Sequence, residues 1–296
     1  MIQKSSNRKP FHVIYRTYPG YNKTKALLAF PDKSSLVELS LGSLASLLTS
    51  KDRLTIIIDS PSKAYISLIE RILIPYNHLS IEVQINQLPY GNASSFRKCI
   101  SVGKQSDFDI IFFCEDDYFL RHGCLDRIAD LFSRNKLSVV FPFYHPSYQN
   151  LPIHKITRAF FKAVSFFRSK TYASSHRVIS GCLTFAINRI DLYNFSDSFS
   201  LYGDGVLGDH NMWKSMTIPL LGFFTSTRES IKFPRLICSR ILLIHLKNIF
   251  SCFSFISVYD SRNSAIHLSN DCLPSIYSAL YAEACCDKFI LLLKSS

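Results

Sequence analysis

Residues 109–114, Asp-Ile-Ile-Phe-Phe-Cys, are an apolar run too short for a helix, and the run stops at three consecutive acids, Glu115, Asp116 and Asp117. Such a run reads as a strand covered on both faces, the kind that parallel sheets contain. The acids must then stand where the strand leaves the core. Residues 54–58 repeat the pattern and end at Asp59, and residues 11–18 form a similar run that carries Arg16 and Thr17 just before Pro19-Gly20. Helical spacing fills the gaps. Leu36, Leu39, Leu44 and Leu47 predict a helix over 34–49 with Ser34 and Ser35 as caps, a second helix spans 62–73, and a third opens at Gly91-Asn92 and runs to about Gly103. Residues 79–85 and 138–143 read as further strands, and 125–132 as a helix.

This β-α-β-α-β-α-β alternation predicts an α/β fold, with right-handed crossovers and a doubly wound, mostly parallel sheet with flanking helices. Ligands of such sheets bind beyond the carboxyl ends of the strands. Arg16, Thr17, Asp59 and the acidic triplet are therefore expected to meet at one edge.

With 47% hydrophobic and 19% charged residues among 296, the chain can bury a large core, which excludes general disorder. The formal charge of +12 points to a partner that is nucleic acid, an anionic membrane surface or a phosphorylated small molecule. No helix-turn-helix, zinc-finger spacing or RNP-like aromatic motif is present, so nucleic acid is not expected. A metal-dependent nuclease or phosphohydrolase could use the acidic triplet, but it would carry further ligands in tight motifs that the sequence lacks. Nine cysteines without a CxxC pair suit reduced thiols in a cytoplasmic protein. No apolar leader is seen. The longest apolar stretch, 241–258, carries His245 and Lys247, so no membrane span is expected. Residues 151–177 are basic and aromatic, with Lys155, Arg158, Lys162 and Arg168, and suit peripheral contact with an anionic inner membrane face.

Three adjacent carboxylates repel one another, so the triplet calls for a cation. A hard divalent ion accepts oxygen ligands and keeps waters and substrate phosphates in its shell. A solvated acidic turn capping the next helix is the plainer alternative.

Residues 110–120, Ile-Ile-Phe-Phe-Cys-Glu-Asp-Asp-Tyr-Phe-Leu, resemble the DxD region of GT-A glycosyltransferases, especially family-2-like enzymes. The resemblance implies a GT-A domain over 1–225, with a nucleotide half at about 10–120 and an acceptor half at about 121–225. A helical or irregular C-terminal elaboration, 226–296, would pack on it. Asp117 would hold Mn²⁺ or Mg²⁺. Glu115, which stands where the family has its first Asp, would reach the sugar or ribose and the metal, and Asp116 would share either task. The same resemblance assigns Arg16, Thr17 and Asp59 to the nucleotide base and ribose. It brings Asn92 and Arg97 to the nucleotide, where a helix N-terminus suits a phosphate.

Residues 208–213, Gly-Asp-His-Asn-Met-Trp, resemble the family's acidic-pair segment, which implies Asp209 as the catalytic base, with Asp204 as the second candidate. A plain helix cap suits Asp209 as well. His267 would be a late metal ligand. The implied reaction is metal-dependent sugar transfer with inversion, from a nucleotide-diphosphate donor, UDP-sugar favoured, to a glycan or lipid-linked acceptor in polysaccharide assembly.

Overall fold

The structure is a computed structural model that describes residues 8–20, 32–143, 175–177, 182–204, 208–217, 219, 235–251, 257–260 and 264–268. Residues 151–174 of the basic segment, Gly181 and residues 205–207 lie outside the described residues.

Strands β1 (Phe11–Thr17), β2 (Arg53–Ile58), β3 (Ser80–Ile85) and β4 (Ile110–Glu115) alternate with helices α1 (Lys33–Ala45), α2 (Lys63–Leu73) and α3 (Asn92–Lys104). Then come β5 (Tyr118–Leu120), α4 (Cys124–Arg134), β6 (Val139–Phe141), β7 (Ser175–Arg177) and β8 (Phe185–Asn188). Three helices follow, α5 (Arg189–Asn194), α6 (Ser196–Gly203) and α7 (Asp209–Thr217). The described chain closes with α8 (Arg235–Ser251), β9 (Ser257–Asp260) and β10 (Ala265–His267).

The main sheet has eight strands in the order β3-β2-β1-β4-β8-β6-β9-β7. The first four are parallel; β8 runs against β4 and β6, and β7 against β9. The sheet is thus mostly parallel, as the alternation predicts. Strand β8 begins at Phe185 and is antiparallel to β4. The sequence pattern did not reveal β5 and β10, which pair antiparallel in a separate two-stranded sheet.

Successive side chains on a strand point to opposite faces, and both faces here are covered. Phe11, Val13 and Tyr15 of β1 join Phe112 and Cys114 of β4 in one core, beneath α1, α2 and α4. Ile14 joins Ile111 and Phe113 in a second core, with Phe96 of α3, Leu192, Phe199 and Trp213. Helix α2 presents Tyr65, Leu68, Ile69 and Leu73 inward at helical spacing, and Ser62 caps it by accepting from the Tyr65 N–H at 3.2 Å. The cap of α1 is Asp32, which accepts from the Ser35 N–H at 2.8 Å, rather than the expected Ser34 or Ser35. A carboxylate one turn earlier captures the open N–H groups first.

The C-terminal region is built into this body. Strand β9 lies inside the main sheet between β6 and β7, and β10 is held against β5. Among the described residues, no helix is long and apolar enough to cross a membrane.

Candidate active site

Strand alternation decides how the acidic turn divides. In the parallel ladder Arg16 is the register partner of Glu115, and both point to the α3 face with Ile14 and Phe113. Their side chains form a close ion pair. Arg16 also donates to the Asn92 carbonyl at 2.7 Å, which ties the start of α3 to the pair. The Glu115 N–H donates to Thr184 Oγ1 at 3.0 Å. Burial pushes the Glu115 carboxyl up to about 7; Arg16 opposes the rise and Asp117 adds to it.

Asp116 turns to the other face, that of Tyr15 and Thr17. Its Oδ2 accepts from Thr17 Oγ1 at 2.6 Å, from the Tyr18 N–H at 3.2 Å, and pairs with Lys33 Nζ of α1 at 2.7 Å. Thr17 gives its only proton to Asp116, so the hydroxyl of Tyr65, in close contact with Thr17 Oγ1, is the donor in that pair.

Asp117 meets β10. Its carbonyl accepts from the Leu268 N–H at 2.6 Å, and His267 Nε2 lies 3.1 Å from its Oδ2. The His267 ring stacks on Tyr118 at 4.7 Å, which fixes its orientation. Burial alone would raise the Asp117 carboxyl, but His267, with Lys33 and Arg16 farther off, holds it below the ordinary value. Asp117 Oδ1 is buried and has no hydrogen-bond partner among the described residues.

Each acid therefore has its own basic neighbour from a distant part of the chain: Arg16, Lys33 and His267. Arg16 and Lys33 thus offset part of the repulsion within the triplet. The case for a metal narrows to Asp117. An orphaned carboxylate oxygen beside an imidazole is a donor set suited to a divalent ion, and a buried oxygen left unmet calls for a partner. Among the described residues no group of three or more His, Cys, Asp or Glu is assembled to hold a metal. Two protein ligands would leave the rest of the shell to water and substrate oxygens.

The remaining expected residues divide. Asp59 is buried at the end of β2, where Oδ1 accepts from Asn86 Nδ2 at 2.8 Å and Oδ2 from the Gly91 N–H at 2.9 Å. Gly91 has φ of 131°, open to glycine and strained for other residues, and this lets its N–H face Asp59. Asn92 opens α3 with an exposed side chain. Arg97 points away from the acids: its Nε and Nη2 donate to the Gly203 carbonyl at 3.0 and 2.6 Å, and Nε lies 3.2 Å from Asp204. Asp204 is shared with Arg240 of α8 at 2.7 Å.

Asp209 begins α7 and is half-buried. Trp213, one turn on, is fully buried against Phe141, Phe185 and Phe199, which anchors the helix. Burial raises the Tyr202 hydroxyl; Arg16 opposes this, while Glu115 and Asp209 add to it, so Asp209 acts on the same neighbourhood as the Arg16–Glu115 pair. Lys33, Thr184 and Tyr202 were not legible from sequence. None belongs to a motif, and only the turn of the chain brings them to the acids.

No family model matches the chain, and no curated protein matches its sequence. Among solved structures it is similar to a mannosyltransferase, PcManGT from Pyrobaculum calidifontis in complex with GDP-Man and Mn²⁺, at 13% identity and a TM-score of 0.45, covering 84% of this chain and 73% of that one. It is similar to S. aureus TarS 1-349 in complex with UDP-GlcNAc at 13% identity and a TM-score of 0.43, covering 82% and 73%. A third is mouse xyloside xylosyltransferase 1, at 10% identity and a TM-score of 0.36, covering 65% and 71%. The chain is similar to glycosyltransferases in structure.

Proposed function

We propose that the chain is a metal-dependent glycosyltransferase that moves a sugar from a nucleotide-diphosphate donor, a UDP-sugar foremost, to a hydroxyl of a glycan or lipid-linked acceptor. The observation that carries this reading is the buried, unpartnered Asp117 Oδ1 beside His267, at the carboxyl edge of a parallel sheet. Asp117 and His267 would hold a divalent ion, Mn²⁺ or Mg²⁺. When bound, such an ion supplies positive charge to the departing diphosphate.

The chain's own residues do the rest. Arg16 and Glu115 face the donor from the α3 side and orient its ribose or sugar. Asp59 supports them through the Gly91 turn, which it already holds. Asp209 takes the proton from the acceptor hydroxyl as its oxygen bonds to the anomeric carbon. The bond from that carbon to the diphosphate breaks, and its electron pair leaves with the diphosphate. Attack opposite the leaving group inverts the centre. Asp204, already paired with Arg97 and Arg240, is the second candidate for the base. The basic segment 151–177 suits an acceptor presented at an anionic membrane face.

Titration of the purified chain with UDP, with and without Mn²⁺, tests this reading. Binding should require Mn²⁺ and fall at least about 100-fold in Asp117→Ala, the upper range for loss of a group that governs metal affinity. Wild-type protein that binds neither UDP nor GDP in the presence of Mn²⁺ would overturn it.

A further inference from the structure

The three acids of the turn look alike in sequence, yet their surroundings separate them. Glu115 pairs with Arg16, and Asp117 with His267. Asp116 is 6% exposed, and its Oδ2 gathers Thr17 Oγ1, Lys33 Nζ and the Tyr18 N–H. Behind Thr17 stands the buried Tyr65 hydroxyl of α2. Lys33 is itself buried, at 8% exposure, and its ammonium also lies 4.8 Å from the centre of the Tyr18 ring. The contacts come from β1, α1 and α2, three elements that converge below the turn.

We propose that Asp116 is a positioning residue: through Lys33 and Thr17 it clamps the turn, so that Glu115 and Asp117 project in opposite, fixed directions. Buried carboxylates need a cation and hydrogen-bond donors to remain charged in a core, and Lys33 with Thr17 provides both. A turn built of Asp116 and Asp117 beside Glu115 would otherwise relax under the repulsion of three acids. With Asp116 pinned to α1, Glu115 meets Arg16 and Asp117 meets β10. Lys33 acquires a role here although no motif contains it. The outer residues that orient a ligand typically change metal affinity by about 10–100-fold when altered, which sets the expected scale.

The inference rests on the metal reading of Asp117 only for its effect on binding; the clamp itself is a property of the free protein. The test compares wild type with Asp116→Asn, Lys33→Met and the double variant, which replaces the ion pair by neutral groups of similar size. Two measurements are made on each protein: amide hydrogen exchange of Tyr18 and residues 115–120 without ligand, and Mn²⁺-dependent UDP affinity. Each single variant should speed exchange across the turn and weaken Mn²⁺-dependent binding about tenfold. The double variant should lose less than the product of the two single losses, because the two residues act as one unit.

Unchanged exchange in both single variants overturns the proposal, whatever happens to binding. So does a loss in Asp116→Asn as complete as in Asp117→Ala with exchange unchanged, which would make Asp116 a direct ligand. Strictly multiplicative losses in the double variant also overturn it. If the wild type binds no nucleotide while exchange responds as expected, the function proposed above has failed and the clamp stands.

Discussion

The two ends of β1 treat buried polar groups in opposite ways. At its start, Asp52 is 2% exposed and accepts from Arg8 Nη1 and Nη2, the Phe11 N–H, and the N–H and hydroxyl of Thr49, all between 2.7 and 2.9 Å. His12 beside it engages Ser106 with Nδ1 and Thr55 with Nε2, at 2.9 and 2.8 Å. At the other end, past Arg16 and Thr17, Asp117 keeps a buried oxygen with no partner among the described residues, and Glu115 is raised to about 7. Both ends belong to one seven-residue strand. Full satisfaction suits a group that holds the fold, and under the proposed function the unmet oxygen at the carboxyl edge is the one that takes a ligand.

That contrast can be broken by experiment. The largest effect should come from Asp52→Ala, which leaves the Arg8 guanidinium buried without its main partner. Removing one partner of such a pair costs about 4 kcal/mol. Urea unfolding should record that loss, while Mn²⁺-dependent UDP affinity of the folded protein stays at the wild-type value. A parallel loss of affinity at unchanged stability would dissolve the distinction between the two ends.

His12 should give the next largest effect. Burial, helped by Arg53, lowers its pKa to about 4 from 6.5. The folded protein therefore favours the neutral ring, and the unfolded chain takes up the proton first. The stabilisation is complete above pH 6.5 and is lost as pH falls from 6.5 through about 4, to a total of about 3 kcal/mol. His12→Gln should be less stable than wild type at pH 7, and the gap should shrink towards pH 4. A gap that does not change with pH would mean that His12 has the same pKa in the folded and unfolded states.

The smallest effect belongs to the partly exposed pair beyond the acids. Arg240→Ala removes one of the two guanidinium groups on Asp204 and should cost less than about 1 kcal/mol, as solvent-screened pairs do. UDP affinity should change by less than about twofold. A larger fall in affinity would move Asp204 from the supporting side of the comparison to the reacting side.

The strands from β1 to β4 and the helices between them were legible because each is announced locally, by an apolar run or by helical spacing. The meeting of Arg16, Thr17, Asp59 and the acids at one edge followed from their places at strand ends. Arg97 did not follow. Its spacing from Gly91 suits a helix N-terminus, but the rotation of α3 against α6 turns its guanidinium to the Gly203 carbonyl. Lys33 was invisible, since a lysine at the head of a helix looks solvated until α1 is laid against the acidic turn.

By itself, the sequence determined the parallel half of the sheet and the place of the carboxylates at its edge, because strand period and chain order act over a few residues. Only the tertiary structure decided what each carboxylate meets. Arg16 stands 99 residues from Glu115 and His267 stands 150 from Asp117. Contacts at such separations leave no local pattern, since they depend on strand register and on how β10 closes against β5.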